Sequence, residues 1–196
     1  MCAAAGRAPF DVAQAFLSAG AKVLQLRCKN MPSGAFLDLT HATLEHSRRA
    51  GAILIVNDRA DVALMSGADG LHVGQSDLSA IDARAVIGPA PILGLSTHTV
   101  EQWASAVREP VSYLAIGPVF GTGTKATGYD AVGLQTVKDA ATAAAAHALP
   151  AVAIGGITLE TAAAVIDAGA ASVAVISDLL KGDPEERCRA FLRTLR

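Results

Sequence analysis

The chain has 196 residues, which suits one domain with a substantial core and lies near the lower limit of the (β/α)8 class, typically ~200 to 250 residues. Its 52% hydrophobic content with only 4% aromatic residues is typical of buried parallel strands packed on alanine-rich helices. A formal net charge of -2 argues against a nucleic-acid binder, so any phosphate site must be a local feature.

The cysteines and the N-terminal stretch indicate where the chain works. Cys2, Cys28 and Cys188 have no paired spacing and form no metal motif, which predicts free thiols in a reducing compartment. No apolar run approaches the ~20 residues of a membrane span, and MCAAAGRAPF lacks a signal-peptide pattern. We therefore expect a cytoplasmic protein without a membrane partner.

Short apolar runs alternate with amphipathic segments along the whole chain, which is the signature of βα units. The predicted helices are 10–19, 34–50, 60–66, 79–86, 100–108, 134–147, 159–168 and 184–195. The predicted strands are 22–27, 53–57, 70–73, 92–95, 112–116, 151–154 and 172–176. No linker or low-complexity boundary interrupts the series, so residues 1–196 are predicted to form one domain.

A repeated sequence motif favours one of two parallel architectures. The segments AGAKVLQLR, AGAILIVND, SGADGLHVG and AGAASVAVIS each join a helix-ending glycine to a buried strand. A doubly wound sheet would fit, but the even repetition and eight helices favour a TIM (β/α)8-type barrel. MCAAAGRAP cannot supply a first strand, so either the barrel lacks this strand, or a partner or a truncation accounts for the gap. An open barrel would expose strand edges that favour association into a homo-oligomer.

Polar residues follow the first three predicted strands, where a barrel places its chemistry. Alternation along QLRCK puts Gln25, Arg27 and Lys29 on one side, pointing into the barrel mouth. Asp58 and Asp77 follow the next two strands, and two carboxylates beside these cations predict Mg²⁺ shared with a diphosphate. Alternatively, Asp58 caps the helix that begins after it, and both roles can hold together.

The stretch AIGPVFGTGTKATGYDAVGL, residues 115–134, has the composition of an anion cradle. Its glycines allow backbone N–H groups to approach a ligand, its threonines add hydroxyl donors, and Lys125 supplies a positive charge. A mobile polar loop with one solvated lysine fits the same residues about equally well. Ser96, at the end of the preceding strand, is either a helix N-cap or a ligand hydroxyl.

The last two strands end in IGGIT and VAVIS, and each precedes a helical turn. Backbone N–H groups at Gly155, Gly156 and Ser177 would then form the phosphate site that barrels use after their final strands. Together with the diphosphate pocket this predicts two phosphorylated substrates. His72 and His98 are assigned no role, because a lone histidine is more often structural, and Leu71 and Val73 beside His72 are expected to point inward.

These segments, in this order, resemble the thiamine phosphate synthase family along nearly the whole chain. The matching segments are QLRCK, IVNDRADVAL, ADGLHVGQSDL, ILGLSTHT, YLAIGPVFGTGTK, GYDAVGL, AIGGIT and AVIS. The resemblance implies a Mg²⁺-dependent transferase of thiamine biosynthesis that condenses hydroxymethylpyrimidine diphosphate with thiazole phosphate. The products would be thiamine phosphate and pyrophosphate.

The resemblance also implies the roles of individual residues. Arg27, Lys29, Lys125 and Ser96 would be catalytic, and Asp58 and Asp77 would bind Mg²⁺. The pyrimidine diphosphate would be held by Gln25, Leu26, Arg27, Cys28, Lys29, Asn57, Ser96 and Lys125. Thiazole phosphate would be held by Thr122, Gly123, Thr124, Gly156, Ile176 and Ser177.

Two features depart from the family pattern, and two other functions remain alternatives. Cys28 stands where glutamate is usual, although its side chain alternates away from the barrel interior, and the first strand is missing. A thiazole tautomerase of the same superfamily would carry a histidine in place of Pro118 and would need neither metal nor diphosphate. A non-catalytic phosphate-binding barrel is the other alternative, and dependence on magnesium separates the synthase from both.

Overall fold

The computed structural model describes residues 6–121 and 128–195 and shows a parallel α/β barrel. Its strands are β1 (Val23–Leu26), β2 (Ile53–Asn57), β3 (Gly70–Val73), β4 (Ile92–Thr97), β5 (Tyr113–Ile116), β6 (Ala151–Ile154) and β7 (Ser172–Ala174). Its helices are α1 (Pro9–Ala19), α2 (Ser33–Arg49), α3 (Ala60–Ser66), α4 (Ala80–Ile87), α5 (Val100–Ala106), α6 (Gly133–Ala145), α7 (Leu159–Asp167) and α8 (Pro184–Thr194). A 3-10 turn, Asp178–Leu180, lies between β7 and α8.

Each strand pairs in parallel with the next along the chain, so the sheet order is β1 to β7. Among the described residues β1 and β7 form the two edges, which confirms the prediction of a TIM-type barrel that lacks one strand. We call the opening between β1 and β7 the seam. The helix layer continues across the seam, because α1 packs against both α2 and α8.

The two faces of the sheet differ in their environment. The face that includes Leu54, Leu71, Leu93 and Leu114 is fully buried against the helices. The register places Gln25, Asn57 and the other alternate residues on the opposite face, towards the barrel interior.

This register makes one sequence expectation wrong. Leu71 and Val73 face the helices, and His72 faces the interior with Gly94 and Asn57 as its neighbours in register. The error has a physical cause, because strands of a parallel barrel are apolar on both faces and hydrophobicity alone does not separate inside from outside.

Local signals in the sequence fix where the helices begin and end. Helix α1 begins at a proline and ends at Gly20, whose φ of 101° is a left-handed conformation that glycine adopts without strain. The side chains of Ser79, Thr99 and Asp183 accept the first-turn N–H bonds of α4, α5 and α8. Because all seven strands run parallel, the loops that lead from each strand to the next helix lie at one end of the barrel.

Candidate active site

Two oppositely charged side chains meet where β1 and β2 end. The Lys29 ammonium lies 3.3 Å from a carboxylate oxygen of Asp58. Arg27 and Lys29 follow the end of β1, and both are exposed. The pair is half exposed, so its net contribution to stability is small. Its arrangement instead leaves two cations at the mouth for a ligand.

Asp58 is held in an unfavourable conformation. Its φ is 64°, in the left-handed region that non-glycine residues seldom adopt. Burial raises the pKa of its carboxyl, the neighbouring Asp77 raises that pKa further, and Lys29 lowers it. Backbone strain and a crowded pair of carboxylates are features that folds retain at functional sites.

Asp77 is the second carboxylate of this pair. Its carboxyl raises the pKa of Asp58, and its Oδ2 accepts the N–H of Gly74 at 2.8 Å, which fixes the side chain. Within the described ranges no three His, Cys, Asp or Glu side chains are grouped to hold a metal ion. Mg²⁺ is usually held in proteins by one or two carboxylates and completes its coordination shell with water and substrate phosphates. A pair of carboxylates is therefore enough to hold this ion.

Asn57 supplies an unsatisfied donor beside these carboxylates. The residue is 7% exposed, and its side-chain Nδ2 is buried without a hydrogen-bond partner in the part of the chain that the structure describes. Burying an amide donor without a partner costs about 1 to 3 kcal/mol. A ligand oxygen at the barrel mouth would satisfy this group, which accords with the predicted role of Asn57.

A chain of hydrogen bonds crosses the barrel interior beneath the mouth. His72 Nε2 lies 2.8 Å from Ser96 Oγ, and His72 Nδ1 lies 2.8 Å from the Tyr113 hydroxyl. Burial raises the pKa of the Tyr113 phenol, and the Gln25 side chain across the barrel lowers it. Sequence reasoning missed His72 and Tyr113, and the only available signal was polar residues on otherwise apolar strands.

The loops after β5 and β6 are bound to each other through their backbones. The N–H groups of Val119 and Phe120 donate to the carbonyls of Ile154 and Gly155 at 2.9 and 3.0 Å. A Cβ on Gly156, whose φ is 67°, would lie 2.7 Å from the Gly121 carbonyl oxygen, so only glycine fits there. Residues Thr122, Gly123, Thr124 and Lys125 lie outside the described residues.

The predicted thiazole phosphate residues after β6 and β7 lie at the same end of the barrel. Ile176 and Ser177 are exposed, and Gly156 is partly buried. The start of α7 is already occupied, because the Leu159 N–H donates to the Asp178 carboxylate at 3.0 Å. A phosphate here would therefore meet the glycine loop and Ser177 rather than the end of that helix.

Two other predicted residues face away from the interior. The Leu26 side chain is buried in the core between strands and helices, and Cys28 packs against the same core. Only the backbone of Leu26 can therefore take part in binding. The position of Cys28 explains how the chain accommodates a thiol where the family pattern has glutamate.

His98 joins the loop after β4 to the segment that precedes α6. Its ring stacks on Tyr129 with centroids 4.2 Å apart, and its Nδ1 hydrogen-bonds to the Gly117 carbonyl. Gln102 Nε2 donates to the Tyr129 hydroxyl at 3.1 Å. His98 is therefore a structural link between two loops at the barrel mouth.

Comparison with known proteins decides the family. A family model described as thiamine monophosphate synthase matches residues 2–179. The chain belongs to this family. The thiamine-phosphate synthase of Roseiflexus castenholzii is 46% identical over 190 residues, which cover 96% of this chain and 82% of that protein. The synthase of Chlorobium luteolum is 42% identical, covering 94% of this chain and 86% of that protein.

Solved structures agree with this thiamine monophosphate synthase assignment. Thiamine phosphate pyrophosphorylase from Pyrococcus furiosus superposes with a TM-score of 0.89 at 28% identity, covering 96% of this chain and 89% of that one. A 3-hexulose-6-phosphate synthase structure, at 18% identity and a TM-score of 0.66, shares the fold alone, covering 95% of each chain. The matches to thiamine-phosphate synthases confirm the sequence prediction of a transferase of thiamine biosynthesis.

Proposed function

We propose that the chain condenses hydroxymethylpyrimidine diphosphate with thiazole phosphate, releasing pyrophosphate and thiamine phosphate, with Mg²⁺ held between Asp58 and Asp77. Family membership supports the reaction, and the observation that carries the site assignment is the carboxylate pair beside Lys29 at the barrel mouth. The relatives from Roseiflexus castenholzii and Chlorobium luteolum are both thiamine-phosphate synthases, which favours this reaction over the tautomerase alternative.

The reaction needs the diphosphate to leave with its electron pair. The bond from the methylene carbon to the diphosphate oxygen breaks, and the electron-rich aminopyrimidine stabilises the resulting cation. In this proposal Arg27 and Lys29 would stabilise the negative charge that develops on pyrophosphate, and both side chains are exposed to a ligand. The thiazole nitrogen then attacks the methylene carbon, so no protein nucleophile is required.

The residues present fit a magnesium ion. Asp58 and Asp77 would hold it, and the unsatisfied Nδ2 of Asn57 would donate to a diphosphate oxygen beside it. A bound Mg²⁺ neutralises negative charge on phosphoryl oxygens. From the resemblance we assign Lys125 to the same diphosphate, and Thr122, Thr124, Gly156 and Ser177 to thiazole phosphate.

Product formation from the two substrates, with Mg²⁺ and with chelator, tests the proposal directly. We expect thiamine phosphate and pyrophosphate in equal amounts with Mg²⁺ and neither with chelator. Equal product formation in chelator would contradict the metal assignment. Absence of product under every condition, from protein that is folded by circular dichroism, would contradict the reaction itself.

We also propose that the protein works in the cytoplasm and self-associates. Every helix in the described ranges is too short or too polar to cross a lipid bilayer. Within residues 6–121 and 128–195 no further strand pairs with the outer edge of β1 or β7, and these edges are surfaces at which a second copy can pack. Sedimentation equilibrium tests self-association, and a monomer at all concentrations would contradict it.

A further inference from the structure

The interior hydrogen-bond chain Tyr113–His72–Ser96 joins three strands of the barrel. His72 lies on β3, Ser96 on the neighbouring strand β4 and Tyr113 on β5. The bond to Ser96 links adjacent strands, and the bond to Tyr113 reaches past β4. Ser96, at one end of the chain, is a residue to which the family resemblance gives a ligand role.

The fold makes room for this chain at one glycine. A Cβ on Gly94 would lie 2.1 Å from Cζ of Tyr113 and 2.4 Å from its hydroxyl oxygen. The Tyr113 ring therefore occupies the space that any other residue at position 94 would need. This places the phenol beside His72, and the two rings lie 5.5 Å apart at 30°. A glycine in the middle of a strand is unfavourable for the strand, so it has a packing reason here.

The donors and acceptors fix the direction of the chain. Burial raises the pKa of the Tyr113 phenol, so the hydroxyl stays protonated. The phenol O–H can then donate to His72 Nδ1. With Nδ1 accepting, the ring carries its proton on Nε2 and donates to Ser96 Oγ.

We infer that His72 and Tyr113 are positioning residues that fix how Ser96 presents its hydroxyl to the pyrimidine ring of the substrate. Tyr113 holds the His72 ring, Ser96 accepts from His72 Nε2–H, and the Ser96 O–H is left to act as a donor. A hydroxyl donor complements a ring nitrogen of an aminopyrimidine. The inference rests on the proposed function, and it adds the residues that orient this donor.

The kinetic test is Tyr113→Phe, which keeps the ring beside Gly94 and removes the hydroxyl. We expect KM for the pyrimidine diphosphate to rise roughly tenfold and KM for thiazole phosphate to stay unchanged, because one or two oriented hydrogen bonds are lost on one substrate only. We expect His72→Phe to do the same and His72→Gln, whose amide can bridge both partners, to recover part of the loss.

The matched control is Thr97→Val. Thr97 is fully buried on the same strand as Ser96, and its Oγ1 donates to the Ala115 carbonyl at 3.0 Å, outside the interior chain. We expect this variant to lose stability and to keep both KM values. A Tyr113→Phe variant whose two KM values both stay at wild-type levels, or rise equally, would overturn the inference.

A second measurement needs no substrate and is independent of the proposed reaction. The ¹⁵N chemical shifts of the His72 ring, assigned with His72→Gln, report which nitrogen carries the proton. We expect the Nε2–H form in wild type and a shift of Nδ1 in Tyr113→Phe as its hydrogen bond is lost. A Nδ1–H ring or a doubly protonated ring would overturn the inference even if wild type makes product. An Nε2–H ring in a protein that makes no product would leave the positioning geometry standing and refute the reaction.

Discussion

At the scale of single residues, Asp58 has a left-handed backbone conformation, and its carboxyl has a pKa that burial and the neighbouring Asp77 raise. We expect Asp58→Asn to lower synthesis at least about 100-fold, because it removes a ligand of the Mg²⁺ that would neutralise the leaving diphosphate. Asparagine tolerates the left-handed conformation, so the backbone should not move. Steady-state kinetics with varied Mg²⁺ measures the effect. Activity within a fewfold of wild type would contradict the assignment.

The same variant makes a separate prediction about stability. In chelator we expect Asp58→Asn to unfold at a higher temperature than wild type, because it removes a partly buried negative charge next to Asp77. The raised pKa of Asp58 gives the sign: in wild type this cost is absent below pH of about 4, and it appears as the pH rises through that raised pKa. Mg²⁺ should raise the melting temperature of wild type more than that of the variant, as thermal unfolding at pH 7 would show.

Sequence reasoning placed the residues at strand ends more successfully than those within the barrel. Arg27, Asn57 and Asp58 are polar residues at the ends of apolar runs. In a parallel barrel the carboxyl ends of all strands lie at the same end of the barrel, so the location of such residues can be predicted. His72 and Tyr113 lie within strands that are apolar on both faces, where alternation gives no direction. Their hydrogen bonds depend on strand register and on the space at Gly94, neither of which a single sequence specifies.

At the scale of elements, Arg84 on α4 joins two loops at the end of the barrel opposite the site. Its guanidinium donates to the carbonyls of Gly88, Pro91 and Pro110 at 2.9, 2.7 and 3.1 Å. We expect Arg84→Lys to lower the free energy of unfolding by about 1 to 2 kcal/mol, because a lysine cannot reach all three. Urea denaturation measures the loss, and kcat and KM should not change.

The control for that prediction is Arg48→Lys. Arg48 donates to one exposed carbonyl, that of Gly67, at 3.0 Å, so its replacement should cost less than about 0.5 kcal/mol. Equal losses from the two substitutions would mean that the three-carbonyl arrangement of Arg84 adds nothing. A change in KM with Arg84→Lys would mean that the two ends of the barrel are coupled.

Asp178 connects the turn after β7 to the start of α7 and to α8. It is 1% exposed, and its carboxylate accepts from the Leu159 N–H and pairs with Arg187 and Lys181. Burial acts to raise the pKa of this carboxyl, but the two cations and the N–H together lower it. We expect Asp178→Asn to cost about 2 to 3 kcal/mol at pH 7, since Arg187 loses its buried partner.

The pH dependence of that loss follows from the lowered pKa. Asp178 contributes its stability above pH of about 4, and the contribution is lost as the pH falls through its lower folded-state value. The gap in unfolding free energy between wild type and Asp178→Asn should therefore shrink below pH 4 in urea titrations. Asp183→Asn, which keeps an N-cap acceptor for the Glu186 N–H, is the control and should show no such gap.

At the scale of the whole molecule, the sequence predicted the open barrel because seven apolar runs and eight helices can be counted. The strand bounds differ from the structure by at most two residues, at the ends of β4 and β7. The closure of the helix layer could not be predicted, since packing of α1 on α8 depends on contacts between residues far apart in the chain. The seam therefore lies in the strand layer alone.

The seam should make the edge strands the first part of the barrel to open. Val23 on β1 is 60% exposed, and β7 has only three residues, whereas the central strands carry fully buried side chains such as Leu71 and Leu93. We expect backbone amides of β1 and β7 to exchange with deuterium at least about tenfold faster than those of β3 and β4, since edge strands open by local unfolding. Mass spectrometry of peptic fragments measures this at low protein concentration.

If a second copy covers the seam, protection of β1 and β7 will rise with protein concentration while that of β3 stays constant. Uniform protection of all seven strands in a protein shown to be monomeric would contradict an open seam.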